Sequence, residues 1–205
     1  YVDYNGNRYV NEGDRRDVCA NAAVNTGFVS TYAIFTEPVV AGYVRPEEIE
    51  AGIADGRILK ADTLDELAEK INGFEVKGMF PTVTGDNLKA TIEKHNGYID
   101  NGEDLDFHKV MASTMVKIEE GPYYALPQFP SVHHTMGGLV IDTMTRVLDI
   151  YGQPIEGLYA AGEVTGGVHG TNRLGSNADA DACGFGYISG IVVATGELPD
   201  FIPAE

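Results

Sequence analysis

The residues with chemistry to offer crowd into one stretch of this chain. His133, His134 and His169, three of the five histidines, lie with Glu163 and Arg173 among glycine-rich segments, while His95 and His108 stand apart. An imidazole donates, accepts or carries a proton near neutral pH, and a guanidinium grips a carboxylate through two parallel N–H groups. Together they suit the binding and polarising of an organic anion. Bland alternatives stay open: Arg173 could pin its loop through a salt bridge, backbone groups could satisfy His133, and Glu163 could be a solvated loop acid. Placement on strand ends and loops favours a site, because rigid elements can hold such residues in register.

Net charge limits the ligand further. A formal charge of −17 over 205 residues disfavours nucleic acid, which needs clustered Lys and Arg against its phosphates. An anion is also repelled at long range, so the cations that bind it must be concentrated at one spot of low dielectric. Cys19 and Cys183 match no metal or haem spacing. No metal is expected, and a haem domain would lie elsewhere. No apolar run approaches the ~18 residues of a membrane span, and no charged-then-apolar leader opens the sequence. Phosphoryl transfer lacks a Gly-Lys-Ser/Thr loop. Gly184-Phe-Gly186-Tyr-Ile-Ser-Gly190 superficially resembles a dinucleotide fingerprint, but its last glycine is one residue late and it sits in a helical pattern, so it reads as close helix packing.

The elements that must position these residues follow from pattern. Tyr1–Val10 reads as a hairpin around Asn5-Gly6. From about Asp17 to Tyr124 the pattern is mostly helical. Thr63-Leu-Asp-Glu66 is a capping box, and Leu64, Leu67, Ala68 and Ile71 follow on one helical face. A second helix is expected from Leu88 to about Tyr98, after the breakers Pro81 and Gly85, with Asn101-Gly102-Glu103-Asp104 an exposed turn. Gly138–Asp142 and Arg146–Ile150 alternate like strands, Tyr151–Pro154 is a turn, and Leu158–Ala161 is a strand entering the loop Gly162–Ser176. Small residues from Asn177 to Gly190 suit a helix packed closely on a sheet. The composition shifts near residue 125, which predicts two domains.

Three ordered motifs carry a family resemblance: His133-His-Thr-Met-Gly-Gly138, Gly157-Leu-Tyr-Ala-Ala-Gly-Glu-Val164, and Thr165-Gly-Gly-Val-His-Gly-Thr-Asn-Arg-Leu-Gly-Ser-Asn-Ala178. They closely resemble the C-terminal region of soluble fumarate reductases of the flavocytochrome c type, within the fumarate reductase and succinate dehydrogenase flavoprotein superfamily. Gly6-Asn-Arg-Tyr-Val-Asn-Glu12 with Arg16-Asp17 resembles the segment carrying that family's proton-donating arginine. The resemblance implies an α+β fold. Residues 1–124 would form a capping (clamp) domain with its opening hairpin, and 125–205 the C-terminal return of a split Rossmann-like FAD-binding domain. The N-terminal half of that flavin domain would be absent here.

The resemblance also implies roles. The cofactor would be FAD, and the reaction hydride transfer from flavin N5 to one alkene carbon of a small unsaturated carboxylate, with a proton delivered to the other. Fumarate is the expected substrate; other enoates such as urocanate, methacrylate or a cinnamate-like acid are the alternatives, and Arg173 with the paired histidines argues against a ketosteroid. His133 and Arg173 would hold and polarise the carboxylates, with Ser176 and Asn177 beside the substrate. His134 would contact the flavin, Glu163 its ribityl or ribose hydroxyls, and backbone N–H groups of Ala178 and Asp179 its pyrimidine carbonyls. Arg16 would deliver the proton, although chemistry alone would leave both Arg15 and Arg16 as surface charges. Asp179 departs from the pattern, where a small or apolar residue is expected. It could cap the helix instead. The electron donor (haem domain, quinol or reduced carrier) and the compartment, bacterial periplasm or cytoplasm, stay open. The isolated chain could equally be an inactive cap or binding module.

Overall fold

The computed structural model describes residues 1–27, 30–42, 45–74, 81–112 and 115–200. They fall into two compact units, Tyr1–Pro130 and Ser131–Glu205. The compositional shift at 125 lies inside a strand of the first unit, whose pairing holds residues 125–128, and the unit runs on to Pro130.

Unit 1 runs α1 (Arg16–Asn25), β1 (Thr31–Thr36), α2 (Glu37–Ala41), α3 (Pro46–Ala54), β2 (Leu59–Ala61), α4 (Leu64–Asn72), α5 (Gly85–Asn101) and β3 (Tyr123–Gln128). The stretch expected to be mostly helical therefore contains a sheet, of order β1-β3-β2, antiparallel, with Ala125 opposite both Ile34 and Leu59. Thr31–Thr36 is rich in β-branched and aromatic residues, but its three buried positions are the adjacent Thr31 and Tyr32 and the distant Thr36, so period-2 alternation does not mark it.

α4 forms as its pattern predicts. Thr63 Oγ1 accepts the Glu66 N–H at 3.2 Å, the Glu66 carboxylate reaches back to the Asp62 N–H, and Leu64, Leu67, Ala68 and Ile71 are buried. With Leu88 and Ile92 of α5, Tyr32 of β1 and Ala125 of β3 they make the core. α5 begins earlier than expected, because Thr84 caps it through the Asn87 N–H and Gly85 is its first residue. A Cβ on Gly85 would stand 1.8 Å from Asp65 Oδ1, so this glycine permits the close approach of α4 rather than breaking a helix. Gly102, at φ 73°, ends α5 in the left-handed region.

The expected exposed turn after α5 needs correction at Asp104, which is buried. Its carboxylate accepts the N–H groups of Asp106, Phe107 and Lys109 and pairs with Arg8 Nη2 at 2.7 Å. Arg8 Nε and Nη2 also grip Glu12, at 2.7 and 2.9 Å. A local composition argument could not see that partner from so far along the chain. The opening turn does form: Gly6 adopts φ 87° and donates to Asp3, and Val2 bridges Arg8. Thr91 Oγ1 and Asn87 Nδ2 of α5 clasp the carbonyls of Gly6 and Asn5.

Unit 2 contains β4 (Arg146–Leu148), β5 (Pro154–Tyr159), a short 3-10 turn at Gly162–Val164 and α6 (Asn177–Thr195). β4 and β5 pair antiparallel around a turn in which Asp149 accepts the N–H groups of Tyr151 and Gln153. The segment expected as a strand at 138–142 makes only single bridges, Leu139 to Thr165 and Ile141 to Val147, because it serves two different partners in turn. α6 is apolar on every side, yet only Asp181 and Val192 are buried. Such a helix is built for burial on all faces. The close sheet packing expected of its small residues is not met by the described residues: a Cβ on Gly184, Gly186 or Gly190 would touch nothing within 4 Å.

Candidate active site

Unit 2 gathers its reactive residues through one close backbone contact. Leu139 N–H donates to Val164 C=O at 2.9 Å and Gly166 N–H returns to Leu139 C=O at 3.0 Å. A Cβ on Gly138 would lie 2.3 Å from Val164 O, and one on Gly166 2.6 Å from the Gly138 nitrogen. Only glycine lets these backbones lie so close. The contact sets the segment bearing His133 and His134 against the turn bearing Glu163.

Glu163 Oε1 accepts the Thr135 N–H at 2.9 Å, and Oε2 stands 3.4 Å from His134 Nδ1. The Thr135 N–H, and after it the charges of His134, Arg173 and His133, hold the Glu163 carboxyl below the usual carboxylate range although it is exposed. His134 is nearly buried, and its ring meets that of His169 edge to face, centroids 5.2 Å apart. His169 Nε2 lies 3.1 Å from Asp181 Oδ2 in α6. His133 is exposed.

Arg173 is the informative residue. It is 7% exposed, donates from Nη1 to the Leu174 carbonyl at 2.9 Å, and has a buried Nε with no partner. Among the described residues no carboxylate forms a salt bridge with it, so the loop-pinning reading finds no support. A buried guanidinium without an anion carries a large desolvation cost. A carboxylate ligand would relieve it.

Ser176 adopts φ 65° just before α6 and is exposed. Asn177 and Ala178 open the helix. The Asp179 N–H is already given to Ser176 C=O at 3.1 Å, so of the two backbone donors expected to face a flavin that one is occupied. Asp179 is exposed, and α6 has no side-chain cap, so the capping alternative for Asp179 does not hold either. In unit 1, Arg16 is the first residue of α1, exposed and without an ion pair among the described residues, whereas Arg15 is held by Asp17 at 2.9 Å. His169 and Asp181 carried no role in the sequence reading. The available signal was a second acid, two residues after Asp179, in a helix of mostly small and apolar residues.

Glycine-permitted backbone crossings, an acceptor carboxylate beside paired histidines and a buried cation without an anionic partner among the described residues define a binding site suited to an organic anion. The chain belongs to the FAD binding domain family, whose model matches residues 1–178, and its cofactor is FAD. Within that family it groups with the flavocytochrome c fumarate reductase-like flavoproteins. It is 45% identical over 93% of its length to the NADH:acrylate oxidoreductase of Vibrio harveyi, 38% over 92% to the probable fumarate reductase Ifc3 of Shewanella frigidimarina, and 37% over 92% to the urocanate reductase of Eggerthella lenta. It spans 18%, 30% and 30% of those proteins. Among solved structures, it matches the open conformation of a flavocytochrome c3 fumarate reductase at 35% identity and TM-score 0.69, covering 94% of this chain and 32% of that one. A 3-ketosteroid delta1-dehydrogenase from Sterolibacterium denitrificans matches at 27% identity and TM-score 0.73, covering 96% of this chain and 38% of that one.

Proposed function

We propose that the full-length protein reduces the C=C bond of a small unsaturated carboxylate, with Arg173 and His133 binding the substrate and Arg16 delivering the proton. The bound FAD would supply the hydride. The observation that carries this reading is the buried Arg173 guanidinium, which lacks an anionic partner among the described residues. Its N–H fork would draw electron density toward the carboxylate as the alkene gains negative character, which is stabilisation aimed at the transition state. His133, exposed beside the Glu163 strap, would add a second donor. Glu163 keeps lone pairs for flavin hydroxyls although Oε1 already accepts from Thr135.

The finer architecture belongs to the same proposal. Unit 1 would act as the cap, and unit 2 as the returning part of a split FAD domain whose first half lies in the remainder of a longer chain. The bare α6 glycines and the exposed Ile155 and Leu158 of β5 support it, since they are surfaces suited to burial.

Fumarate is the first substrate to test. A monocarboxylate such as acrylate is the second reading, favoured by the 45% identity to an acrylate oxidoreductase and by the presence in unit 2 of a single buried, unpaired guanidinium among the described residues. The test is a panel of fumarate, acrylate, urocanate, methacrylate and cinnamate with the full-length protein and a chemical electron donor. At least one enoate is expected to turn over, and Arg173→Ala is expected to lower kcat/KM by about 10²–10³, the scale of losing one charge-stabilising donor. No turnover of any enoate, or an unaffected Arg173→Ala variant, defeats the proposal.

A further inference from the structure

The proposed chemistry leaves one buried pair in unit 2 unused. Among the described residues His169 and Asp181 form no hydrogen bond or ion pair with the residues assigned to the substrate carboxylate, yet the Asp181 side chain is 2% exposed and that of His169 11%. A buried carboxylate is costly unless it is paired or hydrogen-bonded, and among the described residues Asp181 Oδ2 meets that demand through His169 Nε2, 3.1 Å away. Where that carboxylate is ionised it can only accept, and His169 Nε2 is then the donor. The ring is thereby fixed from the α6 side.

What the fixed ring does is visible at its other edge. It stands at 78° to the His134 ring, 5.2 Å between centroids, a T-shaped contact that constrains His134 through shape and quadrupole. His134 meets Glu163 Oε2 on its Nδ1 side at 3.4 Å, and its side chain is 4% exposed. Four groups thus stand in a row: Asp181, His169, His134, Glu163. The anchored helix at one end and the Thr135-held carboxylate at the other leave His134 one orientation.

We infer that His169, anchored by Asp181, is a positioning residue that holds the His134 imidazole with Nδ1 toward Glu163 and Nε2 as its free ring nitrogen. This deepens the proposed function and rests on it only for the purpose of the positioning, which is to present one defined nitrogen of His134 to the ligand. The arrangement of the four side chains stands without that reading. The groups around His134 are Glu163, whose Oε1 holds the Thr135 N–H and whose carboxylate also feels the charges of Arg173 and His133, and His169 backed by Asp181 from α6.

The experiment uses the full-length protein labelled with 13C and 15N in histidine, with His134 assigned by its loss in His134→Gln. The parent is expected to show a single neutral His134 tautomer carrying its proton on Nδ1. In His169→Ala, and in Asp181→Leu, which removes a group bonded to His169 and not to His134 among the described residues, the two His134 tautomers are expected to mix. Asp181→Asn keeps a carbonyl acceptor and should preserve the single tautomer, which also provides a readout if the leucine variant does not fold. An unchanged His134 signal in His169→Ala, or a mixed one in Asp181→Asn, overturns the inference. With an active enoate, kcat/KM in His169→Ala is expected to fall about tenfold, the scale on which outer supporting groups act. If the parent reduces no enoate, the functional proposal falls while the tautomer measurement still decides the positioning.

Discussion

Arg8 and Asp104 illustrate how much a single buried pair fixes in unit 1. Arg8 bridges Glu12 and Asp104, its guanidinium lies 5.0 Å over the Phe107 ring, and neither Arg8 nor Asp104 exposes more than 7% of its side chain. Burial alone would raise the Asp104 pKa. The Arg8 hydrogen bond and the N–H groups of Phe107 and Lys109 outweigh it and bring the carboxyl down to about 2. Glu12 is lowered in the same way against burial, first by Arg8. A carboxylate depressed in the folded state stabilises it fully above the unfolded pKa of about 4. That contribution is lost as pH falls toward the folded value. Resistance of unit 1 to urea is therefore expected to fall between about pH 4 and pH 2. Asp104→Asn should flatten that limb and cost about 3 kcal/mol at neutral pH, since one partner of a buried pair is removed. An unchanged acid limb would show that the pair contributes nothing to pH dependence.

At the scale of elements, the glycine crossing at 138 and 166 determines whether a site exists at all. Gly138→Ala would push a Cβ to 2.3 Å from Val164 O, and both neighbouring segments are backbone with no side chain to rotate away. The expected outcome is a loss of about 1–3 kcal/mol, as for overpacking elsewhere, with weaker FAD uptake because Glu163 and His134 separate. Flavin fluorescence titration of the full-length variant against its parent measures this. Equal affinity would mean that the crossing does not position Glu163. Motif spacing pointed to these residues, but the reason for the glycines lies in an approach between segments some twenty-five positions apart.

At the scale of the molecule, the two units differ in how much apolar surface they bury. Unit 1 closes a core around Tyr32, Leu67, Ile71 and Leu88, all fully buried. Unit 2 buries Val147, Ala160 and Val192 and leaves Ile155, Leu158, Tyr187 and Val193 exposed. Local stability follows buried contact, so in the isolated chain the amides of α6 are expected to exchange with deuterium well before those of α4. The same preparation is expected to be colourless, with flavin bands only in the full-length protein. Protection of α6 equal to that of α4, or retained flavin, would show that unit 2 is complete by itself.

The amino-acid order alone determined the local features: the Thr63 cap and the buried face of α4, the turn at Asn5-Gly6, the family motifs and with them the FAD cofactor. These depend on neighbours in the chain, whose geometry is set by short-range sterics and hydrogen bonds. Tertiary structure alone decided that Thr31–Thr36 pairs with Tyr123–Gln128, that Asp104 is buried against Arg8, that Arg173 meets no carboxylate among the described residues and that Asp181 contacts His169. Each of those depends on which distant groups share a low-dielectric space, where a missing or present partner changes the free energy of a charge by several kcal/mol, roughly, and no local pattern encodes that partner.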